Sequence, residues 1–408
     1  MRLSAVFAVL SLRLLAQEHD MSQMEGMHHE STPKAAPMTA SGTSVNPATA
    51  PMDMIHLKLG QWSLHLHGTL FLTEIQQTGP RGGDKLASMN WAMAEACHKL
   101  GSGTFSFRTM LSLDPATITQ ERYPELFQTG ETAYGKPIVD GQHPHDFVME
   151  LGIQYTQAFG TKSRFWLYAA PVGDPAFGPV GFPHRASAAE LPQATLGHHL
   201  QDSTHVSNEV VTGGVSHGMF GIESSGFHGG EPNENRWNID RGAVDSYSTR
   251  ITFTPDNHWT GQVSAAHLSK PEALEPGDQT RIGASVSNTT PYKDGEVSTS
   301  LIWGRVHKTG SNDHLNGYLL ESVARFQKSN YVTGRIELDD KDELANGLKG
   351  RIGAYTVGYT RDIARLPGVL VGLGSNFTAY SMAADVHKVY GQHPVSVLVF
   401  LRLRLRNL

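Results

Sequence analysis

The stretch YGKPIVDGQHPHDFVMEL, residues 134–151, sets two histidines around a proline and follows them with an aspartate. Neutral imidazole combined with carboxylate suits Zn, Cu(II), Ni or Fe. Pro144 restricts the chain between the two rings, so both could be held toward one ion. A second stretch, LGHHLQDSTH, carries His198, His199, Asp202 and His205, with His184 upstream. A third carries His228, Glu231, Glu234 and Asp240, and His387 and His393 lie near the end. Taken as metal chemistry, His143, His145, Asp146, His198, His199 and His205 form one inter-loop site, with copper or zinc as the ion. Taken as structure, Asp146 caps a turn and the histidines bond loop backbone. The chain has 21 histidines, so short HxH and HH pairs arise easily.

Softer ligands lie earlier. Residues 17–55 are rich in Met, His, Ser, Thr, Pro and Ala, without periodicity. Such a segment cannot bury a core and is expected to be a disordered tail. Met21, Met24, Met27, Met38, Met52 and Met54 supply thioethers, which select Cu(I), and His28 and His29 supply an imidazole pair. Ahead of this tail, Arg2 precedes an apolar run ending at Leu14, Leu15 and Ala16. Despite Arg13, residues 1–16 read as a signal peptide for the Sec pathway. Cleavage after Ala16 would start the mature chain at Gln17-Glu18-His19. A free amine with histidine in third place chelates Cu(II) in square-planar geometry. The single cysteine, Cys97, excludes a disulfide framework and a cysteine zinc cluster.

Catalysis has one weak candidate. Ser203 stands beside Asp202 and His205, but neighbours on an extended loop rarely form a triad, and there is no G-x-S-x-G elbow. An outer-membrane hydrolase therefore stays an alternative only.

The elements that must hold these groups are strands. From Trp62 onward the pattern has period two. Trp62, Leu64, Leu66, Leu70 and Leu72 share one face against Ser63, His65, His67 and Thr69. Phe105, Phe107, Leu111 and Leu113 oppose Ser106, Arg108 and Ser112. Met149, Leu151, Ile153 and Tyr155 oppose Glu150, Gln154 and Thr156. Val397, Val399, Leu401, Leu403 and Leu405 oppose Arg402, Arg404 and Arg406. Alternation of this kind marks strands with one apolar and one polar face. About sixteen such runs recur, each about ten residues long, the length of a tilted membrane-spanning strand.

Long connections at 77–85, 114–146, 170–205, 228–245, 269–279, 307–315, 339–350 and 382–394 alternate with short ones such as FGTKS, SHG and RLPG. That sorting is the mark of an outer-membrane barrel with short periplasmic turns and long external loops. The expected fold is all-β: a transmembrane antiparallel up-and-down β-barrel over residues 56–408, with both ends of the barrel chain on the short-turn side. Trp62, Trp91, Phe105, Phe107, Tyr155, Phe165 and Leu403 are expected to face lipid. The lumen is expected to be lined by Arg108, Glu150, Arg164, Arg250, Arg402 and Arg404, with Arg325, Arg335, Glu321 and Glu337. An excess of arginine on a channel wall weakly favours anions; the same charges, paired across the lumen, would plug it. The net charge of −6 carries no basic bias, so a nucleic-acid partner is not expected. The histidine stretches all fall in the long, external connections.

The segments YGKPIVDGQHPHDFVMEL, LGHHLQDSTH, EPNENRWNIDRG and KPEALEPG together resemble the motif set of an uncharacterised bacterial family of envelope proteins, over most of residues 60–408. That resemblance implies an outer-membrane barrel and carries no catalytic residues with it. In layout, a Met/His-rich exported tail ahead of a barrel is similar to the outer-membrane copper-resistance protein B family, though the barrel here is longer. The functional expectation is a porin-like outer-membrane barrel that handles small solutes or a metal ion, copper foremost, with lipid and those solutes as its partners. A non-conducting structural or adhesive barrel is the alternative.

Overall fold

The computed structural model describes residues 40–275, 277–310 and 314–407. Alternating apolar and polar residues give strands of 6 to 19 residues, several longer than expected. In chain order they are β1 (Met54–Leu59), β2 (Trp62–Gln77), β3 (Asp84–Leu100), β4 (Gly103–Leu111), β5 (Val148–Phe159), β6 (Ser163–Gly173), β7 (Ser207–His217), β8 (Phe220–His228) and β9 (Ser246–Phe253). They continue with β10 (Trp259–Leu268), β11 (Gln279–Tyr292), β12 (Gly295–Lys308), β13 (His314–Phe326), β14 (Asn330–Leu344), β15 (Leu348–Leu366), β16 (Val369–Ser381) and β17 (Val395–Leu405).

Each strand from β2 to β17 pairs antiparallel with its chain neighbours, and β17 pairs back onto β2. The result is a closed barrel of 16 strands. Closure removes every free sheet edge, which a lipid environment demands because no water is there to satisfy backbone groups. Strand β1 pairs with the first part of β2, where β17 leaves off. The Asn407 amide donates to the Met54 carbonyl, so this junction lies on the short-turn side.

The faces follow the sequence pattern with two departures. Trp62, Phe107, Leu167, Val215, Ile251, Trp259, Val357 and Val399 are exposed outward, as lipid-facing residues are. Trp91 departs: it shares the inward face of β3 with Met93 and Glu95 and packs on His184 and His67. Its neighbours on either side are small alanines or polar groups, so pattern alone could not fix the register there. Met149 also turns inward, because a bulge in β5 opposite Met110 and Leu111 shifts the alternation by one. The connection expected at 339–350 shrinks to residues 345–347, since β14 runs on to Leu344.

Two segments fill the lumen. The first is the loop 174–206, buried almost throughout. Its Arg185 reaches Glu321 at 2.5 Å and Asp202 at 2.9 Å, while Glu190 meets Arg402 and Arg404. Its helical turn His198–Gln201 lies on Gly304 of β12, where an added Cβ would sit 2.0 Å from the Leu200 carbonyl oxygen. The second is residues 40–53, part of the stretch expected to be an unpacked tail. Ser41 donates to Asp174 at 2.7 Å, Arg250 donates to Thr43 at 3.1 Å, and Asn46 donates to the His184 carbonyl at 3.0 Å. Residues 17–39 of that tail, with Met21, Met24, Met27, His28 and His29, and the signal segment 1–16 lie outside the described residues.

The inward arginines face carboxylates. Arg108 pairs with Glu95 and Glu150, Arg250 with Glu223, Arg335 with Glu321, and Arg402 with Glu190 and Asp362. The arginine excess read from the sequence is therefore matched by wall and loop carboxylates.

Candidate metal centre

Three long loops meet over one mouth of the barrel. The loop 112–147 folds into a hairpin, Glu131–Ala133 against Lys136–Ile138, and a bridge of Tyr123–Pro124 with Gly141–Gln142. Its Phe127 stacks on Tyr390 at 4.4 Å, in a cluster with Leu126, Leu196, Leu344 and Val386. This apolar cap fixes the hairpin over the loop 174–206, each buried large side chain contributing about 2 kcal/mol. The loop 229–245 closes from the other side: the Phe147 amide donates to the Arg236 carbonyl at 2.7 Å.

The expected ligands are brought near one another but divide into separate groups. Asp146 is not a ligand-like carboxylate; it pairs with Arg236 at 3.3 Å. His145 Nδ1 lies 3.0 Å from Asp114, and His198 Nδ1 lies 2.7 Å from Asp202. His205 Nδ1 donates to the Asp202 carbonyl at 2.7 Å. The rings of His145, His198 and His205 surround Phe182, with His145–His205 centroids 5.7 Å apart. Ser203 Oγ accepts from Arg281 at 2.6 Å, so the hydrolase triad has no support in this loop. Elsewhere His228 bonds the Ala243 carbonyl and His387 the Gly391 carbonyl, both plain structural uses.

His143 and His199 behave differently. His143 Nδ1 donates to the Pro144 carbonyl at 2.7 Å, leaving the lone pair of a neutral ring on Nε2. That Nε2 faces Glu131 Oε1 at 2.7 Å without hydrogen-bond alignment. His199 Nε2 lies 3.5 Å from the same Glu131 oxygen, and His199 Nδ1 lies 3.6 Å from Glu231 Oε1. Both ring nitrogens of His199 are buried without a hydrogen-bond partner, as is Glu231 Oε1. Buried polar atoms are ordinarily satisfied. Ligand atoms of Glu131, His199 and Glu231 lie within 4.8 Å of one another. Bonds of 2.0–2.1 Å in tetrahedral array separate neighbouring ligand atoms by about 3.4 Å; one ion takes one nitrogen of the His199 ring, and either the 3.5 Å to Glu131 or the 3.6 Å to Glu231 fits that spacing.

The electrostatics suit a cation. Burial lowers His143 and His199 to about 4, so both rings are neutral and able to ligate at neutral pH. Burial, and then the nearby Glu131 carboxylate, push Glu231 well above the usual carboxylate range. Arg236 is 3.6 Å from Glu131 and Arg281 3.8 Å from Glu231, at the margin of pairing. They offset part of the charge of the two carboxylates.

Sequence reasoning named His143, His199 and Glu231 but missed Glu131. Nothing in QTGETAYG sets that glutamate apart; its place depends on the hairpin that carries it.

No protein-family model matches the sequence, and none of the curated proteins matches it. Solved structures of like fold do. An anion-selective porin from Comamonas acidovorans is 11% identical with a TM-score of 0.52, covering 84% of this chain and 100% of its own. Salmonella typhi OmpF, in a complex with daunomycin, is 8% identical with a TM-score of 0.52, covering 86% and 100%. A loop L8 deletion mutant of OmpT from Vibrio cholerae is 8% identical with a TM-score of 0.50, covering 84% and 99%. The chain thus has the fold of outer-membrane barrels.

Proposed function

We propose that this chain is an outer-membrane barrel that captures a transition-metal ion, copper or zinc, at its external mouth. Glu131, His199 and Glu231 are the ligands, and the bare Nε2 of His143, 2.7 Å from Glu131, stands where it could join them. The observation that carries the reading is the His199 ring. It is buried, both nitrogens lack a hydrogen-bond partner, and each faces a carboxylate from a different loop. Imidazole with carboxylate is a Zn or Cu(II) set, and capture would add a further tie among three loops that already touch.

The test is thermal unfolding of the purified barrel with Zn(II), with Cu(II) and with chelator. The ion should raise the melting temperature, and His199→Ala with Glu131→Gln should abolish the increment, whereas His145→Ala should leave it. Identical melting with ion and chelator in the native protein would end the metal reading. Passage of small solutes is the second reading. The porin-type fold favours it, and the filled lumen opposes it.

A further inference from the structure

A different set of donors stands deeper in the barrel. Four adjacent strands place inward side chains at one height. His67 of β2 pairs with Met93 of β3, and Met93 pairs with Met110 of β4. Met149 stands in the β5 bulge beside that row. The three methionines are buried in one cluster. Above them the loop 174–206 lowers His184, whose Nε2 lies 2.9 Å from Met110 Sδ. Trp91 packs edge-on against His184 at 4.2 Å and against His67 at 4.7 Å.

Methionine is a common gap-filler, and sulfur against an aromatic edge is a common contact. Three features exceed that. The nitrogen–sulfur separation matches an N–H···O bond in length, although sulfur is the larger atom. Bonds of about 2.0 Å to nitrogen and 2.3 Å to sulfur at the tetrahedral angle place two donors about 3.5 Å apart, so an ion seated between them would widen the 2.9 Å gap by about half an ångström. Further, Nδ1 of both His184 and His67 is buried with no hydrogen-bond partner. Finally, Glu150 stands opposite Met110, and its Oε2 is also buried without a partner. A monovalent cation among the sulfurs would have a carboxylate one strand away, one whose other oxygen already accepts from Arg108 and Tyr168.

The chemistry selects the ion. Thioether sulfur with neutral imidazole is a soft set that suits Cu(I) and offers little to Zn(II). Burial holds His184 well below the usual histidine range, so the ring has a free lone pair at neutral pH. No ligand must lose a proton, and one positive charge suits a buried place better than two. A cavity of about 90 Å³ is lined by His67, Trp91 and His184 and by none of the three methionines, so it opens on the closing side of the cluster.

We propose that Met93, Met110, Met149 and His184 form a Cu(I) site inside the barrel, closed by His67 and Trp91. It shares no residue with the external carboxylate centre and stands whether or not that centre binds metal. Delivery would need Cu(I) itself or a reductant acting before binding, and the site performs no electron transfer.

The probe is Ag(I), a redox-inert stand-in for Cu(I), titrated into the full chain in detergent while tryptophan emission is followed. The native protein should lose the part of its emission that belongs to Trp91, which Trp91→Phe identifies as the missing amplitude. Zn(II) should leave the emission unchanged. Met110→Leu, close in volume, should remove the quench and about one equivalent of bound Ag(I). Glu131→Gln, at the external centre, should alter neither. His184→Asn, on the loop, is read in the same way, so a failure of Met110→Leu to fold leaves the test intact. Folding of each variant is checked by the mobility shift between unheated and heated gel samples. Quenching of equal depth in Trp91→Phe, or unchanged Ag(I) stoichiometry in the folded variants, would overturn the site. Equal quenching by Zn(II) would overturn its soft character.

Discussion

At the scale of residues, the histidines sort by what their Nδ1 atoms meet. His145, His198 and His205 have Nδ1 against Asp114, Asp202 and the Asp202 carbonyl, and each is thereby built into the loop 174–206 or its lining. Burial depresses His205 to about 3, against about 6.5 in an unfolded chain. Between those values the unfolded chain binds the proton and the folded one does not. Stability is then full above about pH 6.5 and falls as the pH falls toward 3; at pH 5 the loss is roughly 2 kcal/mol for this one ring. We expect the protection factors of amides in residues 196–206, taken against the intrinsic exchange rate at each pH, to fall between pH 7.5 and pH 5, and His205→Gln to flatten that dependence. Protection factors that ignore pH over this range would show that the ring does not report on loop order. The histidine motifs themselves were plain in the sequence, and so was their place in the long connections. Their division into a carboxylate-facing pair and a structural trio was not, because it is set by Asp114, Glu131 and Arg236, residues of ordinary type whose neighbours are fixed only by the folded loops.

At the scale of elements, the strands were legible because lipid on one side and polar lumen on the other impose a strict period of two. The pattern failed where that contrast fails. Around Trp91 the run MNWAMAEAC offers alanine at 92, 94 and 96, which suits either face. At Met149 a bulge breaks the count. The inward course of the loop 174–206 was not visible either, since a polar, glycine-containing segment reads alike on the outside or folded within. Gly304 is a local determinant of that course. It leaves the inner wall of β12 open where the turn His198–Gln201 lies, and a Cβ would collide with the Leu200 carbonyl. Gly304→Val should therefore unseat the turn and expose the loop to protease, while the barrel stays folded. Gly213→Ala is the control: its nearest neighbour, a Leu167 side-chain carbon, would be 3.6 Å away, an ordinary contact. Equal resistance of both variants to cleavage would mean that the loop is held elsewhere, by Arg185 and Glu190.

At the scale of the whole molecule, a ring of 16 strands encloses more space than its own inward side chains fill, and barrels of this size leave an aqueous channel unless something enters it. Here two parts of the chain enter. The loop 174–206 crosses from β6 toward the far wall, tied by Arg185 to Glu321 and by Glu190 to Arg402 and Arg404. Residues 40–53 come in from the short-turn side, where Thr49 bonds the carbonyls of Asn257 and Thr289, and run up to Asp174. These contacts differ in strength. Breaking one partner of a buried ion pair costs about 3–5 kcal/mol, whereas a hydrogen bond adds about 1 kcal/mol, or about 1.5–3 kcal/mol where one partner is charged, as Arg250 is toward Thr43 and Arg108 toward the Gly42 carbonyl. The loop is thus the firmer of the two obstructions, and residues 40–53, held by Ser41, Thr43, Asn46 and Thr49, are the easier to release. In planar bilayers the native protein should conduct weakly. Replacing residues 40–52 by a glycine–serine segment of equal length keeps the chain continuous and removes those side-chain bonds, and it should raise the single-channel conductance. Substituting Glu190→Gln in that background should raise it further, because Arg402 and Arg404 then lose the loop carboxylate that they share. If the native barrel already conducts like an open pore, the filled lumen is not the working state. If neither change raises conductance, the wall itself, with its matched arginine and carboxylate rows, closes the path.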